Sequence, residues 1–112
     1  PTTAVRVTAP NGRSFAYSAD TVFDSELLSW LASADVFAHD CAGGPIHASC
    51  DELLLETPVQ DRPRCLLVHR SDLSAGTVYN MREAGFVIPQ AGHTVTLAQD
   101  GTIEHRALRI NN

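Results

Sequence analysis

The chain has 112 residues, 44% apolar and 19% charged, which fits a soluble globular domain and excludes a disordered segment. Its net charge is −5, and its eight basic residues are all arginines scattered from Arg6 to Arg109, which disfavours binding to nucleic acid through phosphates. No apolar run approaches the roughly 18 residues that span a membrane, and Cys41, Cys50 and Cys65 lack a disulfide spacing, so a reduced cytoplasmic compartment is expected.

Ala4 to Thr8 alternates and is rich in β-branched residues, and Ser14 to Ser18 follows an Asn11-Gly12 turn signal, which predicts a β-hairpin. Asp24 caps a helix whose apolar face carries Phe23, Leu27, Leu28, Trp30 and Leu31, with Trp30 read as core. Val36-Phe37-Ala38 reads as a short buried strand, and Gly43-Gly44-Pro45 forces a loop. Ser49 or Asp51 starts a short helix through Leu53, Leu54 and Leu55 that Pro58 stops, and Leu66-Leu67-Val68 is a second buried strand. Asp72 or Ser74 caps a helix carrying Val78, Met81 and Ala84, closed by Gly85. Phe86 to Ile88, Thr94 to Leu97 and Thr102 to Leu108 finish as strands, the last two joined at Asp100-Gly101. Strand–helix alternation of this kind predicts an α/β fold with helices covering a sheet.

Two polar residues follow predicted strands at the carboxyl ends where α/β sheets place ligands: Asp20 after Ser14 to Ser18, and His69 after Cys65 to Val68. A carboxylate and an imidazole brought together there suit a hard or borderline metal ion. Spacing alone leaves open a simple loop turn at Asp20 and a satisfied core-edge histidine at His69. A second grouping, His39, Cys41, His47 and Cys50, has the composition of a structural zinc site but the spacing of no familiar finger, and packing and loop roles are preferred for it.

Four short motifs carry a resemblance. Tyr17-Ser18-Ala19-Asp20-Thr21, Val36 to Cys41, His47-Ala48-Ser49 and Leu66 to Ser71 resemble, in order, the YSGDT, LLIHEAT, HST and LLTHFS segments of the metallo-β-lactamase-fold superfamily, in its tRNase Z and arylsulfatase-like branch. The resemblance implies the C-terminal half of an αβ/βα sandwich, with residues 1–112 as a single half-domain and the N-terminal half absent. It implies two divalent metal ions, zinc by preference, with Asp20 as bridging ligand and His69 as ligand to the second ion. It makes Asp40 and His47 a catalytic acid–base pair.

The function so implied is part of a metal-dependent hydrolase of phosphodiester or related ester-like bonds, working through a metal-bound hydroxide. The alternative is a non-catalytic binding or dimerisation module of the same fold. The family's HxHxDH signature does not occur in the chain, so the chain alone is not a competent enzyme. The expected partners are the N-terminal half of the same protein or a second copy of the chain, with a small-molecule substrate and no membrane. Because Leu66 to Val68 and Val36 to Ala38 are apolar throughout, one sheet face is expected to lie bare without such a partner. Ala19 stands where the family carries glycine, a modest change if that backbone does not need φ > 0.

Overall fold

The computed structural model describes residues 3–69, 73–90 and 92–106. Strands β1 (Val5–Thr8) and β2 (Ser14–Tyr17) form the expected hairpin, with Val7 opposite Phe15 and Val5 opposite Tyr17. The chain then crosses to β3 (Val36–Asp40) through helix α1 (Ser25–Ala32), and to β4 (Cys65–Val68) through α2 (Cys50–Glu56) and a 3₁₀ segment (Val59–Arg64). Strand order is β1-β2-β3-β4, antiparallel at the first pair and parallel at the next two, so the molecule is α/β with a mixed sheet. Parallel neighbours need a crossover, and the helices supply it.

Local chemistry sets the helix starts. The Asp24 carboxylate accepts from the Glu26 and Leu27 amides, Ser49 and Glu52 form a capping box, and Ser74 caps α3 (Ala75–Glu83). The Asp72 alternative for that last cap lies outside the described residues, as do Arg70 and Ser71 of the fourth motif and the predicted end of the final strand at Leu108.

All three helices pack on one face. Ala16, Phe37, Cys65 and Leu67 point from the sheet into a core completed by Leu28, Leu31, Leu53 and Met81. Trp30 is not part of it: the residue is 41% exposed. At 100° per residue Trp30 lies about 200° round α1 from Leu28, so the helix cannot bury both.

Two other expectations change. His39 and Asp40 extend β3 past Ala38, because they keep pairing with Leu67 and Val68 of β4. Phe86 to Ile88 is not a strand but a single parallel bridge from Val87 to Leu66. Strands β5 (Thr94–Leu97) and β6 (Ile103–Arg106) form a separate antiparallel pair.

That pair decides the fate of the second sheet face. Val95, Leu97 and Ile103 pack against Val36, Ala38 and Leu66, which are at most 6% exposed. The expected bare face is therefore covered at its centre by the chain's own hairpin. Apolar exposure remains at the β1 edge, at Val5, Val7 and Phe15. No helix among the described residues is long and apolar enough to cross a membrane.

Candidate metal centre

Three parallel strands deliver their carboxyl ends to one place. Asp20 follows β2, Asp40 is the last residue of β3, and His69 follows β4. His47 arrives from the loop after β3, where Gly43 and Gly44 adopt φ of 77° and 78°, a left-handed turn that residues with a Cβ resist. The loop is closed by the Gly43 amide donating to the Ala48 carbonyl at 2.9 Å.

Asp20, Asp40, His47 and His69 each offer a ligand atom, and these atoms lie within 4.8 Å of one another. His69 Nδ1 is 3.1 Å from Asp20 Oδ1 and 3.2 Å from Asp40 Oδ1. His47 Nδ1 is 2.7 Å from Asp40 Oδ2, and the two imidazoles meet edge to face with centroids 5.0 Å apart. The four residues singled out in the sequence are thus brought together. Asp20 and His69 form the exposed rim, and Asp40 the fully buried floor.

Burial alone would raise the Asp40 pKa. The Ala42 amide, the His47 ring and the Thr21 amide donate to its carboxylate and together hold the pKa below its ordinary value. Tyr17, on the same sheet face, has its phenol pushed up by burial and then by the charges of Asp20 and Asp40. The donor chemistry suits a divalent cation: imidazole nitrogen and carboxylate oxygen are its ordinary ligands. Two carboxylates converging on one His69 N–H also leave negative charge that a cation would offset.

The backbone is strained on either side of the cluster. Ala19 has φ 54° and His69 has φ 50°, a region costly for residues with a Cβ. The condition under which alanine in place of glycine would be a modest change is therefore not met: the backbone at Ala19 does take positive φ as the chain turns out of β2.

Sequence reading passed over Ser18 and Thr21. The buried Ser18 hydroxyl accepts the Asp40 amide at 2.8 Å. Thr21 donates its amide to Asp40 Oδ2 at 2.9 Å and accepts the Ala48 amide through its carbonyl at 2.7 Å. Their position near Asp20 was the only available signal, since Asp40 lies 22 residues from Ser18 and 19 from Thr21. The alternative grouping of His39, Cys41, His47 and Cys50 does not assemble among the described residues. His39 and Asp40 are adjacent in a strand and so face opposite sides of the sheet, which sends His39 into the helix-side core.

The sequence profile of the family described as Anti-Pycsar protein Apyc1 matches residues 1–93. The Anti-Pycsar protein Apyc1 of Bacillus phage BSP38 is 41% identical over 58 residues, which are 50% of this chain and 23% of that protein. The protein of the same name from Bacillus phage 010DV004 is 40% identical over 58 residues, with the same coverage. The match therefore spans about a quarter of the length of these curated relatives.

These matches overturn the assignment to the tRNase Z and arylsulfatase-like branch of the metallo-β-lactamase-fold superfamily, and with it the reading as part of a zinc hydrolase of ester-like bonds. The physical reason is that three of the four motifs are strand ends and the fourth, His47-Ala48-Ser49, is a loop running into a helix cap. Carboxylates and histidines at the carboxyl ends of parallel strands follow from α/β topology, which many unrelated families share.

Proposed function

The chain belongs to the family of Anti-Pycsar protein Apyc1, and on that premise we propose that it acts against Pycsar through a divalent-cation centre built on Asp20 and His69. The observation that carries this reading is the convergence, within 4.8 Å, of four potential ligand groups from three distant stretches of chain. The strain at Ala19 and His69 supports it, because strained backbone persists where the surrounding structure holds a functional side chain in place.

The described cluster offers four side chains, too few for two ions by itself. On this reading, two divalent ions require further ligands from a longer protein of the size of the phage relatives. The exposed β1 side of the sheet, at Val5, Val7 and Phe15, favours the same view: the sheet forms one half of a larger sandwich whose other half packs there. The centre then holds a small molecule at its open rim, beside Asp20 and His69.

The test uses the full-length protein in bacteria that carry Pycsar, challenged with phage, together with titration of the purified protein with Co²⁺. Phage growth should be restored by the unsubstituted protein and not by Asp20→Ala or His69→Ala, and both substitutions should weaken Co²⁺ binding at least about tenfold. Restored growth with either substitution would overturn the cation centre. Failure of the unsubstituted protein would overturn the anti-Pycsar role.

A further inference from the structure

Tyr17 is the last residue of β2, and its place in the sheet sets it beside the cluster. Side chains alternate along a strand, so Tyr17 shares a face with Phe15, opposite to Ala16, which enters the helix-side core. Tyr17 pairs with Ala38 of β3, and Asp40 lies two residues beyond Ala38 on that same face. The two are therefore diagonal neighbours on adjacent strands, at a backbone separation of roughly 7–8 Å that an aromatic side chain can bridge.

The side chain has two parts with different surroundings. Tyr17 packs against the apolar cluster of Val36, Ala38 and Leu66, and this contact anchors the ring. Its phenol stands in the field of both Asp20 and Asp40. The hydroxyl makes no hydrogen bond among the described residues, so neither carboxylate takes its proton. Packing accounts for the ring and leaves the donor unused.

We propose that Tyr17 is a ligand-binding residue of the centre, its phenol donating a hydrogen bond to an oxyanion held there. This rests on the cation-centre reading of Asp20 and His69. Without a cation, the two carboxylates would repel an anion from this end of the sheet. With one bound, an oxyanion offers one oxygen to the metal and has another free for a neutral donor. A phenol suits that second role because it ordinarily titrates near 10 and keeps its proton through the neutral range. A hydrogen bond to an ionised acceptor is roughly twice as strong as one between neutral groups. Such a donor, fixed beside the metal, sets the orientation of the ligand and favours an oxyanion over a neutral molecule of the same size.

The test compares full-length wild type with Tyr17→Phe, which keeps the ring and its packing and removes only the hydroxyl. Both are loaded with Co²⁺ and titrated with inorganic phosphate, followed through the visible absorption of the metal. Tyr17→Phe should bind phosphate about tenfold more weakly, with Co²⁺ affinity and melting temperature unchanged. Tyr79→Phe, on the exposed side of α3, should behave as wild type throughout. Equal phosphate affinity in wild type and Tyr17→Phe would overturn the proposal, as would wild type that takes up Co²⁺ and no phosphate. A loss of Co²⁺ affinity or of melting temperature in Tyr17→Phe would also overturn it, making Tyr17 a structural support. Failure of the cation reading appears differently, as wild type that takes up no Co²⁺, and it would remove the proposal with it.

Discussion

The buried hydroxyl of Ser18 accepts the backbone N–H of Asp40 at 2.8 Å, joining the end of β2 to the end of β3 at the edge of the cluster. Ser18 also donates to the Ala19 carbonyl at 2.8 Å, so one side chain braces both the strained turn and the buried carboxylate. Ser18→Ala leaves the Asp40 amide buried without a partner, at a cost of about 1–3 kcal/mol. Denaturant unfolding should show that loss, while Ser18→Thr should retain most of the stability.

His39 should make stability depend on pH in the weakly acidic range. The ring is fully buried, its Nδ1 lies 2.8 Å from the Asp40 carbonyl oxygen, and its Nε2 has no hydrogen-bond partner among the described residues. Burial lowers its pKa from the ordinary 6.5, against a smaller opposing effect of Asp40. With the folded pKa below the unfolded one, stability is full above about pH 6.5 and falls as acidification protonates the unfolded chain first. His39→Asn, which keeps a donor near the carbonyl, should flatten the stability curve between about pH 6.5 and 5. An unchanged slope in that window would show that His39 is not its source.

Asp40 acts lower on the pH scale. Its depressed pKa means that its contribution is present above the ordinary carboxylate range and is lost as pH falls through the folded value. Acid unfolding of the wild type below about pH 4 should therefore be steeper than that of Asp40→Asn. Parallel acid limbs would refute it.

Ala19 sits at φ 54°, where a Cβ costs roughly 1–2 kcal/mol that glycine avoids. Glycine's greater unfolded-state entropy takes back part of the gain. Ala19→Gly should raise stability by about 0.5 kcal/mol, and Ala19→Val should lower it by more than that. Thermal unfolding of the two variants checks the opposite signs.

Arg62 clamps the ends of two helices. It donates to the carbonyls of Leu54 and Thr57 at the end of α2 and of Ala84 after α3, and its guanidinium lies 5.6 Å from the centre of the Phe86 ring. Arg62→Ala should cost about 2 kcal/mol, with only partial recovery in Arg62→Lys, because an ammonium cannot reach three carbonyls in a fork. Equal stability of the lysine variant and the wild type would mean that charge alone suffices.

Much of this was legible in the linear sequence because it is local. Asp24, Ser49 and Ser74 cap helices through amides two or three residues away, and Asn11-Gly12 turns a hairpin through its immediate neighbours. The carboxyl-terminal placement of Asp20 and His69 after their strands follows from the same local order. Family membership was not legible from four short motifs, three at strand ends and one in a loop before a helix cap. It came from a match extending across residues 1–93, over which many positions add together.

What tertiary structure alone decided is long-range. Trp30 faces out because Leu28 and Leu31 claim the sheet, and β5–β6 buries a face that the strand composition left open. The convergence on Asp40 joins Thr21, His47 and His69, and the last pair spans 29 residues. Side-chain periodicity reports which face of an element is apolar. Which elements then meet depends on the crossover geometry of parallel strands, and only the folded sheet brings three strand ends to one carboxylate.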